Sequence, residues 1–315
     1  MPAKPSEAGR SARPFARAIG ALARFAACAA IGCGGAAMAQ DAPALPRGSP
    51  QPTLAVDGEA LSYTGLLNKA GLAQLRDVLR AHPGVRTLRV DSSGGDALPA
   101  LEIGRLVRAR RLHVVVEGRC NSACANYVFV PAARRTIRPG AMVMWHNSCP
   151  QNVPPGTRFS DVLAGRVPGL AGDARPKGEA DRGKTVDDLL ADKRALRKVD
   201  RDMRDYFPEW AAAHQAFFRE VPVDARIVCL GDYLALPRGK GHAYTLSAGD
   251  MARFGVCGVE APPTYTRDVV EALAREGKTS LGGPVRLADY PEFEPRPPAG
   301  ACDAAAASRP APNRD

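Results

Sequence analysis

The sequence predicts an α/β fold in which flanking helices cover a largely parallel sheet. Short runs of strand-forming residues alternate with amphipathic helical segments along the chain. Several of these runs end directly in loops that carry Gly, Ser or His. Alternating strands and helices are typical of βαβ units, in which active sites lie at the carboxyl ends of the parallel strands.

Residues 1–39 are predicted to be an export signal. A basic beginning precedes an apolar run that ends in small residues at Ala37 and Ala39, as a cleavage site requires. Arg24 interrupts the run, so no membrane-spanning helix is expected. A lipoprotein signal ending at Cys33 is the weaker alternative, because no large aliphatic residue lies three positions before it. The mature chain is therefore predicted to be periplasmic or secreted, and not transmembrane.

The composition argues against nucleic-acid binding. The 315-residue chain has a formal net charge of +10, but its basic residues are scattered and only 6% of its residues are aromatic. Single-stranded nucleic acid needs basic and aromatic side chains interleaved along one surface. The charge is better explained by surface solvation.

The mature chain is predicted to form one domain over residues 53–290, after a flexible lead-in at 40–52. Its predicted strands are 53–56, 85–90, 112–116 and 141–146. Its predicted helices are 63–81, 97–110, 120–130, 185–206, 208–219 and 248–254. The many Pro and Gly residues of 149–184 predict an inserted, mobile loop. Residues 291–315 are rich in Pro and Ala and are predicted to be a disordered tail.

Three of the predicted strands lead to residues suited to hydrolysis. One runs into Gly94-Gly95, the next leads to Ser122, and the last ends in His146. A serine at the start of a helix lies near unpaired backbone N–H groups, which can stabilise a developing oxyanion. Two plainer readings stay open: a serine before an apolar run is a common helix N-cap, and a histidine at a strand end is often a packing residue.

The order and spacing of these residues resemble the proteolytic subunit of the Clp protease, within the ClpP/crotonase superfamily. Ser122 follows Gly95 by 27 positions and precedes His146 by 24. The resemblance covers about residues 54–146 and resumes at 244–256, where Leu-Ser-Ala is followed by Phe-Gly-Val. It is strongest to exported, Clp-protease-like proteins of bacteria. It implies a fold of stacked ββα units.

The resemblance also implies a role for each residue that matches a family motif. Ser122 is expected to be the nucleophile, and His146 the general base that takes its proton. The backbone N–H groups of Gly95 and Ala123 are expected to form the oxyanion hole. Asp232 is the expected acid of the triad, with Asp224 as the reserve candidate.

The chain departs from the family at two points. Ser93 stands where the family usually has a proline before the two glycines, and the acid lies farther than usual from the late Leu-Ser-Ala segment. No cofactor and no metal are expected. The predicted function is an exported serine hydrolase, most simply a peptidase acting on peptides or proteins, and a homo-oligomer is compatible with it. The alternative is a catalytically inactive periplasmic binding or scaffold protein on the same fold. A non-peptide ligand is a further possibility, because crotonase relatives use the same oxyanion geometry on coenzyme A thioesters.

Six cysteines remain after the predicted signal, and an even count in an oxidising compartment predicts disulfides. They are Cys120, Cys124, Cys149, Cys229, Cys257 and Cys302. Their pairing is open: Cys120 and Cys124 bracket Ser122 and either bond each other, or one of them bonds Cys149. A zinc site formed by Cys120, Cys124, His146 and Cys149 is the rival interpretation.

Overall fold

The computed structural model of the chain describes most residues from 51 onward. The described residues are 51–146, 149–164, 191–234, 236, 243–278 and 282–303. The predicted export signal, nearly all of the lead-in, residues 165–184 of the predicted loop and residues 304–315 of the predicted tail lie outside them.

Nine strands and eight α-helices are found among the described residues. The strands are β1 Thr53–Asp57, β2 Ala60–Thr64, β3 Thr87–Ser92, β4 His113–Asn121, β5 Arg134–Ile137, β6 Met142–His146, β7 Ala243–Leu246, β8 Val259–Glu260 and β9 Gly282–Val285. The helices are α1 Lys69–Ala81, α2 Ala97–Ala109, α3 Phe159–Leu163, α4 Lys193–Asp202, α5 Tyr206–Glu220, α6 Leu230–Tyr233, α7 Ala248–Arg253 and α8 Tyr265–Arg275. A π-helix, Cys124–Phe129, follows β4. Short 3-10 helices are Pro150–Asn152, Ala225–Val228 and Leu287–Asp289.

The strands form one sheet that is largely parallel. Its main path runs β1-β2-β3-β4-β6-β7-β9, with β5 and β8 on a branch from β4. Among the described strands only the pairs β1–β2 and β6–β7 are antiparallel. The predicted α/β class is therefore confirmed by the strand pairing itself.

Strand β4 lies at the centre of this sheet, and on one side its two halves pair with different strands. Its first half, His113 to Val116, pairs with β5, whereas its last three residues, Arg119 to Asn121, pair with β6. On its other side β4 pairs with β3. Ser122 follows the last of these paired residues. This pairing places Ser122 beside both the loop after β3 and the end of β6.

Helix α2 and the π-helix pack closely on one another behind the site. The side chain of Asp96 caps α2 by accepting a hydrogen bond from the Leu98 N–H at 3.3 Å. Gly104 faces the π-helix, and a Cβ there would lie 1.9 Å from the carbonyl oxygen of Tyr127. A glycine at this position therefore allows the two backbones to come together. All six residues of the π-helix are buried.

The element bounds differ from the sequence prediction in a few places. The predicted helix 63–81 begins only at Lys69, since β2 occupies Ala60–Thr64 and pairs on both sides. The predicted helix 185–206 is described from residue 191, where α4 begins at Lys193 after the cap Asp192. The residues just before the predicted helix 248–254 form strand β7, which is not among the predicted strands.

Two segments predicted to lack regular structure are ordered in part. Within the predicted loop 149–184, residues 150–152 and 159–163 are helical. Ser160 of this segment is buried and donates a hydrogen bond to Asp200 at 2.8 Å. Beyond residue 290 the chain still packs against the domain, since the side chain of Phe293 is only 8% exposed. The predicted start of the tail at residue 291 is therefore too early.

Arg135 is a buried cation that holds the far end of the π-helix. Its guanidinium donates to the carbonyl oxygens of Phe129 at 3.0 Å and Cys257 at 2.7 Å, and also to that of Val130. Burial lowers the pKa of Arg135 to about 10, so it remains charged at neutral pH. A cation at a helix C-terminus satisfies the unpaired carbonyl groups and favours the helix dipole.

A buried histidine should make the stability of this fold depend on pH. The Nδ1 of His214 lies 3.0 Å from the hydroxyl of Tyr127, which accepts a hydrogen bond from Trp210 at 2.9 Å. We therefore assign the hydroxyl proton to the bond with His214. Burial lowers the pKa of His214 from 6.5 to about 4. Between these values the unfolded chain binds a proton that the folded chain does not, so stability falls as pH falls.

We expect the loss to reach about 3 kcal/mol as the pH drops from 6.5 towards 4, and to be absent above that window. Urea unfolding at a series of pH values measures it. His214→Asn keeps an acceptor for Tyr127 but does not titrate, and it should flatten the profile in this window. His82→Asn, at an exposed position, is the matched control and should leave the profile unchanged. Equal slopes in wild type and His214→Asn would contradict the assignment.

No helix among the described residues is long and apolar enough to span a bilayer.

Candidate functional site

Ser122 has a strained backbone at the point where β4 gives way to the π-helix. Its φ is +56°, a left-handed value that is uncommon for a residue other than glycine. Its N–H donates to the carbonyl oxygen of Met144 on β6 at 2.9 Å, and its own carbonyl accepts from the Asn126 N–H at 2.9 Å. A serine on a sharp turn between strand and helix is the arrangement by which many α/β hydrolases expose a nucleophile.

The structure brings Ser122 and His146 into direct contact. The Oγ of Ser122 lies 2.5 Å from the Nε2 of His146, which is the last residue of β6. Both side chains are partly buried. They meet because β4 and β6 are adjacent parallel strands. A hydroxyl at this distance from an imidazole nitrogen can pass its proton to the ring. This is the contact that the sequence predicted from the two strand ends.

The glycine loop after β3 packs directly against Ser122. A Cβ at Gly94 would lie 2.6 Å from the carbonyl oxygen of Asn121 and 2.7 Å from the Cβ of Ser122. The φ of Gly94 is +94°, so both its conformation and this close approach require glycine. The same hypothetical Cβ would lie 3.1 Å from the nitrogen of Ala123, which places that backbone N–H beside the loop.

Leu67 fixes the glycine loop from the opposite side. Its N–H donates to the Gly94 carbonyl at 2.9 Å, and its carbonyl accepts from the Asp96 N–H at 2.8 Å. A Cβ at Gly95 would lie 2.1 Å from the Leu67 carbonyl oxygen. In the loops and turns that the structure describes, neither the Gly95 N–H nor the Ala123 N–H donates a backbone hydrogen bond. Whether these two N–H groups act as an oxyanion hole stays a prediction. The two hydrogen bonds to Leu67 fix the position of the loop, as such a hole requires.

The interpretation of Ser122 as a helix cap is wrong. The N-cap position of the π-helix is Ala123, and no side chain caps it. The hydroxyl of Ser122 instead points to His146.

Asp232, the predicted acid, lies on the short helix α6. A disulfide joins Cys229, the residue that precedes α6, to Cys149, three residues after His146, with 5.4 Å between their Cα atoms. The Oδ2 of Asp232 accepts a hydrogen bond from the Asn152 side chain at 3.1 Å. The disulfide therefore brings the helix of Asp232 close to the segment that follows His146. Its role as the acid of a triad stays a prediction.

Tyr244 connects the strands that end at the site with the helix that carries Asp232. Burial and, to a lesser degree, the nearby Asp232 carboxylate raise the pKa of Tyr244. Tyr244 pairs across the sheet with Trp145, the neighbour of His146, and the two rings stack at 6.3 Å. The Tyr244 hydroxyl donates to the carbonyl oxygen of Ile227, just before α6, at 2.6 Å. This buried packing docks α6 onto the strands that end at the site.

Asp224, the reserve acid, is engaged in holding the fold together. Its carboxylate forms an ion pair with Arg226 at 2.5 Å and accepts from the Arg296 N–H at 2.6 Å. Burial would raise the pKa of Asp224, but these hydrogen bonds outweigh it and hold the pKa below its usual range. Arg226 also lies over the ring of Phe293, 4.9 Å from its centroid. Asp224 thus anchors the ordered C-terminal segment.

All six cysteines after residue 39 are paired in disulfides. The pairs are Cys120–Cys124, Cys149–Cys229 and Cys257–Cys302. The predicted disulfides are therefore present, and Cys120 and Cys124 bond each other and not Cys149. The rival zinc site is wrong, because three of its four proposed ligands are consumed in disulfides. No cluster of three or more potential metal ligands occurs in the described part of the chain.

The residues that hold the site in place from neighbouring segments were not predicted from the sequence. Leu67 and Met144 act through backbone groups, which carry no signature in the sequence. Asn121 and Asn126 flank Ser122, and each has a buried side-chain oxygen without a hydrogen-bond partner among the described residues.

A cleft of about 610 Å³ opens beside the glycine loop. Its lining includes Leu66 and Ser93, the neighbours of Leu67 and Gly94, together with Met142 and Arg119. Arg119 forms an ion pair with Glu276, the residue that follows α8. Ser122, His146, Gly94 and Gly95 do not line this cleft, which is therefore a neighbour of the glycine loop and not the site itself.

No protein-family model matches the sequence, and a search of curated proteins finds no match. Solved structures with similar backbones include a methylmalonyl CoA decarboxylase, at 12% identity and a TM-score of 0.27, over 61% of this chain and 99% of that one. A putative enoyl-CoA hydratase from Streptomyces avermitilis has 12% identity and a TM-score of 0.27, over 54% and 85%. A putative enoyl-CoA hydratase/isomerase from Acinetobacter baumannii has 11% identity and a TM-score of 0.26, over 53% and 93%. Likenesses this weak carry no argument about chemistry, and the fold class rests on the strand pairing above.

Proposed function

We propose that the protein is an exported serine hydrolase, most simply a peptidase, that uses Ser122 and His146. The observation that carries the proposal is the 2.5 Å contact between Ser122 Oγ and His146 Nε2. A nucleophile within hydrogen-bond reach of a base is the arrangement that covalent hydrolysis requires. A binding or scaffold protein on the same fold, the alternative, has no need of this contact.

The proposed reaction follows from this arrangement. His146 Nε2 takes the hydroxyl proton while Ser122 Oγ attacks a carbonyl carbon, and the carbonyl oxygen becomes an oxyanion. The N–H groups of Gly95 and Ala123 stabilise that charge. His146 then gives its proton to the leaving group, which leaves an acyl group on Ser122. A water molecule, activated by the same imidazole, then attacks the acyl group and releases it from Ser122.

The strained backbone of Ser122 supports the same proposal. Left-handed conformations of non-glycine residues persist only where their surroundings enforce them, and they cluster at functional sites. The glycine loop supports it as well, since Gly94 and Gly95 are both packed too closely for a side chain. Asp232 completes the proposal as the residue that orients His146 from its Nδ1 side.

The pairing of all six cysteines supports export. Disulfides persist in oxidising compartments such as the bacterial periplasm and are rare in the cytosol.

A fluorophosphonate probe, which reacts with activated serine hydroxyls, tests the proposal. We expect the wild-type protein to be labelled once per chain, on a peptide that contains Ser122. Ser122→Ala should abolish labelling, because no other activated hydroxyl replaces it. Ser62→Ala, a matched change within strand β2, should label as the wild type does. Labelling of Ser122→Ala at the wild-type rate would sink the hydrolase proposal and favour the binding protein.

A further inference from the structure

We infer that Cys120 and Cys124 are positioning residues, whose disulfide holds Ser122 in the left-handed conformation that aims its hydroxyl at His146. The inference rests on the proposed function of Ser122. The two cysteines lie two residues before and two residues after the serine, with their Cα atoms 5.0 Å apart. Both are fully buried. The bond therefore closes a small ring of chain around the nucleophile.

Each end of this ring is fixed in a different element. Cys120 belongs to β4 and pairs with Val143 of β6, whereas Cys124 is the first residue of the π-helix. Only three residues, 121–123, connect the two ends. A chain that passes from strand to helix in so few residues must turn sharply, and the disulfide fixes how sharply it turns.

The conformation of Ser122 is one that an unconstrained serine avoids. At φ +56° its Cβ approaches the neighbouring carbonyl oxygen more closely than in the right-handed region. Hydrogen bonds to Met144 and from Asn126 fix the peptide groups on either side of Ser122. If the ring opens, the chain can relax at Ser122, which turns the Cα–Cβ bond and moves Oγ out of reach of His146.

The disulfide Cys257–Cys302 does not close this turn. Cys257–Cys302 spans 45 residues and ties the C-terminal segment to the turn before β8, with Cys302 exposed. Arg135 donates a hydrogen bond to the carbonyl oxygen of Cys257, which links this disulfide to the far end of the π-helix and not to the turn at Ser122. Its removal is therefore the matched control, since it also deletes two sulfur atoms and one cross-link.

The experiment compares wild type, C120A/C124A and C257A/C302A by two measurements. The first is the labelling rate with the fluorophosphonate. The second is the ¹⁵N chemical shift of the His146 ring nitrogens, which reports the hydrogen bond to Ser122 without any need for activity. In C120A/C124A we expect the labelling rate to fall about 100-fold, the usual effect of an approximately 1 Å displacement, and the Nε2 resonance to move. C257A/C302A should keep both wild-type values.

The outcomes separate this inference from the proposed function. A folded C120A/C124A variant with the wild-type labelling rate and the wild-type His146 resonance overturns the inference. If the wild type is not labelled but the resonance still moves in C120A/C124A alone, the positioning role stands and the hydrolase proposal fails.

A second comparison covers the case in which C120A/C124A folds poorly. Glycine adopts φ +56° without strain, so in the Ser122→Gly background opening the ring relieves no strain at residue 122. We therefore expect C120A/C124A to lower Tm by more in the Ser122→Gly background than in the wild type, a coupling that a double-mutant cycle measures. An equal Tm loss in both backgrounds shows that the disulfide does not act on residue 122.

Discussion

Replacing His146 with alanine is expected to slow fluorophosphonate labelling of Ser122 by about 10³-fold, the usual contribution of a general base. The reason is geometric: the imidazole Nε2 lies 2.5 Å from the serine Oγ, so its loss removes the acceptor of the hydroxyl proton. The fold should survive, because His146 is the last residue of β6 and is only partly buried. Labelling kinetics at neutral pH, with circular dichroism as a check of folding, provide the measurement.

Two further variants sharpen this prediction. His146→Gln can still form a hydrogen bond to Ser122 but cannot take up its proton at neutral pH, so it should label as slowly as His146→Ala. His82→Ala changes an exposed histidine at the end of α1 and should label normally. If His146→Gln keeps the wild-type rate, then the histidine acts as a hydrogen-bond partner and not as a base.

The second large effect concerns the disulfide Cys149–Cys229. Its removal in C149A/C229A is expected to lower the free energy of unfolding by about 4 kcal/mol, because the bond closes a loop of 80 residues in the unfolded chain. Both cysteines are buried, so the alanines also leave space in the core. Labelling should fall as well, since this bond docks the helix of Asp232 beside the end of β6. Urea unfolding and probe labelling measure the two effects.

C257A/C302A is the matched control for this prediction. Its bond spans 45 residues, so its loss should lower the free energy of unfolding by a comparable amount, about 4 kcal/mol. It does not join α6 to β6, however, and labelling should be retained under conditions in which the protein stays folded. A C149A/C229A variant that labels normally while folded would show that α6 needs no tether to support the site.

The centre of the site could be predicted from the sequence because the rule that governs it is local. Parallel strands place their carboxyl ends at one edge, so residues that follow consecutive strands meet there. The prediction that Gly94, Ser122 and His146 lie together needed only the strand pattern before each of them. The contact between Ser122 and His146 follows from the pairing of β4 with β6.

What the sequence could not give depends on contacts between distant segments. Strand β2 has a short alternating pattern that merges with the apolar spacing of α1, and only its pairing with β1 and β3 makes it a strand. The segment after residue 290 reads as Pro-rich and disordered, yet Phe293 packs on Phe254 with 6.0 Å between ring centroids. The pairing of six cysteines is likewise a property of the fold and not of their spacing.

The backbone of Ser122 has a consequence for how this position can change over time. At a φ of +56° serine is a less stable choice than glycine by about 1 kcal/mol, since glycine adopts left-handed conformations freely. Selection for folding stability alone would therefore favour glycine at this position, with the loss of the hydroxyl. If the proposed function holds, a serine here sets stability against activity, and Ser122→Gly should be a more stable protein without the proposed nucleophile.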